Sequence, residues 1–562
     1  MNIGIDFGST YSVISNYIKE SAQVETLTLS ESSPYLPTEV ALKGNKYSFG
    51  TAAKSQNGKN GVRPFKSFKM LLAEGDDQTK KERGYDEDNT PEKITSLFLE
   101  YSIKKALTIR GENKVENLVI GAPEIWSRKI NTIDVRAKLR DICESMPFVN
   151  HVEVVSEPAA ASAYFAYNFF KSYKRFYEGT ILLIDYGGGT LDVTLTQVRA
   201  RQDAEYVGME IKVLERTGAG ENEQGHIGKA GIIYMETVVS KAIRDAGISV
   251  SDEELYSDPK FYRAVNDFEE QLQSRTEDIQ DIYDQYEDEF SEIDEEDDTF
   301  TDISYRGEDV FIRYSMMRKV YKDVIYDTLD EQLEKMISFM KEKNIPYMDR
   351  NQDIFKIALV GGFGNFYLVN KQVEEKFEWS YLSDKRREGI IYAREDRERA
   401  ISLGAALLAD RIVTIQHTAP YSVGLYLPFY EDTKNNRYRG KYAIEYGSNI
   451  KNNEIHYQVT PGRKQVREKI LVAGIEYIII SSPSHPNKCI KARLTREMVN
   501  MIKSISSEVL QEGYVGFSMD SSEVLSFHIE PFGMEAKKVE LAKLTDLVNT
   551  DKLVLMDYLP KK

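Results

Sequence analysis

Two segments far apart in the chain share one pattern, and it limits the fold more than any other feature. IGIDFGSTYSV (3–13) and LLIDYGGGTLDV (182–193) each read as an apolar strand ending in aspartate, a glycine turn with Ser or Thr, and a second strand. A hairpin used twice implies two related half-domains facing each other across a cleft. Its chemistry suits phosphate. Glycine lets backbone N–H groups come close to an anion, and the hydroxyls add donors. Magnesium keeps most of its waters and takes few protein carboxylates, so an aspartate at each strand end, Asp6 and Asp185, can hold it through water. A third turn, LVGGFG (359–364), precedes a helix and can approach a sugar or base.

Composition removes several alternatives. The 562 residues exceed one core, and no run approaches the roughly 18 apolar residues of a membrane span. Met1 leads almost at once into a strand, with no leader-like segment, so cytoplasm is the expected compartment and no membrane partner is expected. Cys143 and Cys489 form no C-x-x-C unit, and the six histidines show no zinc spacing. A net charge of −17 disfavours nucleic acid as a partner. Much of that charge lies between Asp267 and Asp298. There Phe268, Leu272, Ile279, Ile282, Tyr286, Phe290 and Ile293 recur at mostly helical spacing, which predicts one long helix with an acidic face.

Strand and helix signals alternate up to about residue 411. EVAL (39–42) and VENLVIGAP (115–123) read as strands. PEKITSLFLEYSIKKALTI (91–109), SEPAAASAYFAYNFF (156–170) and DRERAISLGAALLADRIV (396–413) read as helices, the first with proline where a missing N–H costs little. From 420 to 535 alternation, β-branched residues and turn signals predict an antiparallel β domain. Residues 412–419 read as a linker. Residues 536–562 read as a short helix, centred on 535–549, and a tail.

The two hairpins, followed in order by SEPAAASAY and VGGFG, resemble the seventy-kilodalton heat-shock (DnaK-like) chaperone family of the actin-like ATPase superfamily. The resemblance spans about 2–413. It continues more faintly through HTAPYSVGLYL (417–427), which looks like the family's linker exit, and VGFSMDSSEVLSFHI (515–529), which looks like its last strand pair. It implies an α/β fold: a two-lobed actin-like (duplicated ribonuclease H-like) ATPase domain over 1–411, then a smaller all-β sandwich over 420–535. It also implies ATP/ADP with Mg2+. By motif match, Asp6 and Asp185 resemble the magnesium-shell aspartates. Gly8, Ser9, Thr10 and Tyr11 match the first phosphate loop, and Gly187, Gly188, Gly189 and Thr190 the second. Lys66 in PFKSFKMLL resembles the lysine that meets the γ-phosphate, with Lys69 the runner-up. Glu157 and Asp192 resemble carboxylates near the attacking water. His226, Ile227 and Gly228 sit at a further phosphate turn, and Gly361, Gly362 and Asn365 at the nucleoside turn.

Departures are local. GKAGIIY (228–234) replaces the family's Gly-Gly-Glu-Asp-Phe-Asp. Glu269 and Glu270 stand where the adenosine-gripping helix is basic, and Asn365 where an arginine stacks on adenine. The linker lacks the usual acidic–leucine run. Pro123 matches a proline tied to interdomain switching, without a clear arginine partner among Arg128 and Lys129. Little chain follows the β domain, so any helical lid is absent or reduced. The resemblance implies a chaperone-like ATPase with slow intrinsic turnover, binding unfolded or extended polypeptide through the β domain, with a J-domain co-chaperone and a nucleotide-exchange factor as partners. The alternative reading is an actin-like assembly ATPase whose nucleotide state controls a polymer or complex.

Overall fold

The structure is a computed structural model. It describes residues 1–559 apart from 31–32, 58, 74–75, 128–134, 203–206, 220–229, 287–297, 348–353, 378–389, 392–393, 452–453, 463–464, 482–486, 509–511, 532–538 and 544–547.

The duplicated pattern becomes two sheets with one strand order. In the first lobe Ile3–Phe7 runs antiparallel to Tyr11–Ile18, which pairs with Gln23–Thr26. On its other side it runs parallel to Val115–Ala122, which pairs with Val149–Ser156. In the second lobe Gly179–Tyr186 is antiparallel to Leu191–Gln202, which pairs with Val207–Ala219, and parallel to Phe355–Val360, which pairs with Ile390–Ile391. The central strands are covered on both faces, which is why they read as unbroken apolar runs. Leu182 and Ile184 enter one core, and Ile181 and Leu183 the other.

Small residues set how closely the lobes approach. The helices Glu157–Tyr173 and Arg394–Ala409 share a core of Ala160, Ala163, Ala400 and Ala405. A Cβ on Gly404 would lie 1.6 Å from the Ala160 carbonyl oxygen, so only glycine allows this crossing. Ser156 caps the first of these helices by accepting from Ala159 N, and Pro158 sits in its first turn, as the SEP signal predicts.

Four elements differ from expectation. The acidic segment is two helices, Pro259–Ser274 and Thr276–Gln285, broken at Arg275. Phe268, Leu272 and Ile279 are still buried, so the periodicity reported burial but not the break. Phe290 and Ile293 lie outside the described residues. The expected linker contains a strand, Val413–Gln416, which pairs in parallel with Val207–Ala219 as the sixth strand of the second-lobe sheet. The segment expected to be a final helix carries strands instead: Val539–Lys543 pairs with Leu525–Pro531, and Val548–Tyr558 pairs with Lys488–Leu494. Their backbones pair with strands that would otherwise present bare edges. The fourth difference is a helix, Arg496–Glu508, inside the expected all-β region; Met498 and Ile502 bury its inner face.

The C-terminal region therefore runs on to Tyr558 and is not purely β. One sheet includes Val423–Leu425, Tyr477–Ser481, Lys488–Leu494 and Val548–Tyr558; the other is built on Glu512–Met519 and Leu525–Pro531. Val423, Ile478 and Ala492 from the first share one core with Val515, Phe517 and Ile529 from the second.

Candidate active site

The ends of the two matched hairpins bring their acidic residues into one cluster. Asp6 lies near the end of the first central strand, and Asp185 near the end of the second, opposite Asp192 in the hairpin register. Glu157 opens the helix after Val149–Ser156. Lys69, on the short helix Phe68–Leu71, donates from Nζ to Glu157 Oε1 at 2.6 Å, with both residues buried (3% and 4% exposed). Burial alone would lower the lysine pKa, but the charges of Glu157, Asp6 and Asp185 raise it, so the ammonium form is held.

The carboxylates carry the opposite burden. Burial, and then the charge of Glu157, push Asp6 up to about 7, with Lys69 pulling the other way. Asp185 is raised well above the ordinary range by burial, Glu157, Asp192 and Asp6. Four carboxyl groups around one lysine make a site short of positive charge, as active sites often are.

The expected loops meet at this cluster. A Cβ on Gly188 would stand 3.2 Å from the Thr10 hydroxyl oxygen, and one on Gly189 3.4 Å from that of Ser9, so the two turns face each other. Gly187 N donates to Thr190 O at 2.9 Å, closing the second turn, and Thr190 is buried. The helix Gly231–Asp245 starts on this turn, with Gly231 N and Ile232 N donating to the Gly187 and Gly188 carbonyls. Gly361, at φ +81°, brings the third turn against the cluster; a Cβ there would lie 2.6 Å from Asp185 Oδ1. Gly362 follows at the start of the Phe363–Asn365 turn. Gly8 precedes Tyr11, whose hydroxyl accepts from Lys54 Nζ at 3.4 Å. His226, Ile227 and Gly228 lie outside the described residues.

Lys66 is not in the cluster. It lies nearer the rim, 3.4 Å from Glu39, with its side chain 33% exposed. The residues before Phe68 form the strand Val62–Phe65, and Ser67 at φ +57° turns the chain into a helix that carries Lys69 inward. The sequence could not decide between two lysines three residues apart; that turn does. Glu269 and Glu270 also have a definite place. Lys54 on the first lobe pairs with Glu270 at 3.1 Å, joining the lobes across the cleft, and burial raises the pKa of Glu269 beside Lys54 and Lys66. Asn365 is 3.3 Å from Glu398 on the Arg394–Ala409 helix.

Sequence reasoning missed a second cluster behind Glu157. Glu124, 0% exposed, accepts from the Ser156 hydroxyl and, at 3.1 Å, from Arg216 Nη1. Arg216 also pairs with Glu523 of the C-terminal region through Nη2 at 3.0 Å, and Arg136 reaches the same carboxylate at 2.8 Å. Arg140 pairs with Asp520, and Val154 N donates to Ser522 Oγ at 3.0 Å. The turn 520–523 is thus seated on Arg136, Arg140 and Val154 of the first lobe and on Arg216 of the second-lobe sheet, and its network reaches Ser156, one residue from Glu157. Arg136 is a buried arginine of this network in the first lobe, where Pro123 also lies; Arg128 and Lys129 lie outside the described residues. The local hint in the sequence was EIW after Pro123, because the partners are hundreds of residues apart.

Among the described residues no three His, Cys, Asp or Glu side chains are grouped to hold a metal ion directly. The oxygen-only donors and the uncompensated negative charge fit a hard cation held through water. No helix among the described residues is long and apolar enough to cross a membrane.

A family model described as "Hsp70 protein" matches residues 2–201. The chain is 28% identical over 222 residues to a heat shock protein of Pyricularia oryzae, covering 35% of this chain and 34% of that protein. It is 30% identical over 197 residues to "Chaperone protein DnaK" of Thermotoga neapolitana, covering 35% and 30%. A ribosome-associated molecular chaperone of Zygosaccharomyces rouxii is 26% identical over 219 residues, covering 35% and 34%. The chain spans about a third of the length of these relatives.

Proposed function

We propose, from an N-terminal region that is Hsp70-related by sequence over residues 2–201, that the protein is a chaperone-like ATPase. ATP is its substrate in the cleft, and the C-terminal region senses the nucleotide and engages extended polypeptide. The observation that carries the reading is the buried Lys69–Glu157 pair set between Asp6 and Asp185 in two matched hairpins. Such a site performs phosphoryl transfer by positioning and charge neutralisation rather than covalent chemistry.

Asp6 and Asp185 would hold magnesium through its waters, and the ion supplies charge neutralisation on the phosphates. The chain's own residues do the rest. The facing turns at Gly8–Tyr11 and Gly187–Thr190 offer backbone N–H groups and hydroxyls to phosphate oxygens. Lys69 supplies the fixed positive charge, and Glu157 fixes the lysine. Glu157 and Asp192 are the carboxylates available to orient a water. On the nucleoside side, Gly361, Gly362 and Asn365 form the turn, and Asn365 is tethered to Glu398 rather than poised as a stacking cation. A J-domain protein and a nucleotide-exchange factor are the co-chaperone classes this reading anticipates. Binding of extended polypeptide would use strand addition and side-chain pockets.

The test is single-turnover ATP hydrolysis by wild type, Asp185→Ala, Lys69→Ala and Lys66→Ala. We expect the first two variants to lose at least about a hundredfold, and Lys66→Ala to stay within about threefold, because its ammonium pairs with Glu39 outside the carboxylate cluster. Robust hydrolysis by Asp185→Ala and Lys69→Ala would sink the assignment.

A further inference from the structure

A cavity of about 90 Å³ lies between the helices Thr276–Gln285, Tyr314–Tyr321 and Tyr367–Lys376. None of its lining residues belongs to the turns at 8–11, 187–190 or 361–365. In a chain of net charge −17, its wall among the described residues carries Arg318, Lys322 and Lys371 beside the carboxylate of Glu375, and Arg318 Nη1 also donates to the Tyr286 carbonyl at 3.4 Å. Tyr283 and Tyr326 supply aromatic surface beside these cations.

The wall is built rather than incidental. The backbone from Lys322 to Tyr326 is a π-helix, a widened turn found often at functional sites because it displaces backbone groups from their ordinary partners. Gln372, 4% exposed, secures it: Nε2 donates to the Tyr326 carbonyl at 2.9 Å, and Oε1 accepts from the Tyr321 hydroxyl at 2.6 Å. On the other side Tyr283 stacks on Tyr367 with ring centroids 6.0 Å apart and planes 21° apart, fixing the helix Thr276–Gln285 against the helix that carries Lys371.

We propose that this cavity is a binding site for a small aromatic anion, a ring bearing a carboxylate or a phosphate. The volume is several times the roughly 10–15 Å³ that a single water needs, which leaves room for the anionic head with the ring at the mouth. Arginine and lysine together favour carboxylate or phosphate oxygens, and aromatic walls beside cations favour a flat partner over a bare ion. Binding alone is at issue, so the site stands or falls apart from ATP hydrolysis.

The test is calorimetric titration of the full chain with phenyl phosphate and with benzoate, against inorganic phosphate and phenol. Whichever of the two aromatic anions binds identifies the head group. We expect saturable binding of at least one aromatic anion, with inorganic phosphate and phenol each at least about tenfold weaker. Lys322→Glu and Lys371→Glu should each weaken it by about tenfold or more, the scale of one hydrogen bond to a charged group. Circular dichroism checks folding, and Lys371→Gln replaces Lys371→Glu if the latter unfolds. The proposal is overturned by no binding to the folded chain at millimolar concentration, by phenol binding as well as the anions, or by unchanged affinity in the variants. One-for-one displacement by ATP would also overturn it, because the cavity would then be part of the nucleotide site.

Discussion

Lys69 shows how a single residue's role turns on a local bend. Lys66 and Lys69 share one short stretch, and nothing in their types separates them. The left-handed Ser67 sends one to the rim and the other into a buried pair with Glu157. The carboxyl groups around that pair set a pH dependence. Asp6 titrates at about 7 in the folded chain instead of 3.8. Between those values the unfolded chain has released its proton while the folded chain keeps it, so stability falls as pH rises through this window and the penalty is complete above pH 7. Asp6→Asn should therefore stabilise the nucleotide-free protein at pH 8, by on the order of 1–3 kcal/mol, and leave it nearly unchanged at pH 4. Calorimetric melting at both values checks this. Equal gains at both would show that the aspartate's ionisation is not the cause.

Elements were legible where burial imposed a period and illegible where only a distant partner decided. The helices Pro91–Arg110 and Glu157–Tyr173 follow their capping signals closely, since Thr90 and Ser156 act locally. The glycine in ISLGAALL marks a close crossing. Gly404→Val should cost more than about 3 kcal/mol or prevent folding, because its Cβ has no room beside Ala160. Urea unfolding measures that cost, and a loss under about 1 kcal/mol would mean the helices separate easily. The last strand behaves differently. Val548–Tyr558 reads weakly by itself, yet it pairs along Lys488–Leu494 and places Met556 in a buried tyrosine-rich cluster. Truncation after residue 538 should abolish cooperative melting of the C-terminal region while the nucleotide lobes still melt cooperatively. An unchanged second transition would contradict that.

At the scale of the whole molecule, the seating of the C-terminal region rests on few groups. Glu523 adopts φ +62°, costly for a non-glycine residue, and meets Arg136 and Arg216 there. Removing one partner of a buried pair costs about 3–5 kcal/mol because the others stay buried and unmatched. We expect Glu523→Ala to release the region from the lobes, read as faster protease cleavage within 412–419 and a larger radius in solution. Unchanged cleavage would show that the strand Val413–Gln416 holds the region by itself. Since Glu124 links this network to Ser156, beside Glu157, the same variant should alter hydrolysis without touching the cleft. The sequence by itself determined the paired hairpins, the acidic ends at Asp6 and Asp185, the glycine turns and the capped helices, because each depends on neighbours within a few residues. Only the tertiary structure decided that Lys69 rather than Lys66 joins the carboxylates. The same holds for the strand within the supposed linker, the strands in place of a final helix, and the closing of two arginines on Glu523. Those outcomes depend on which remote backbone edge or buried charge lies opposite, and no local pattern carries that information.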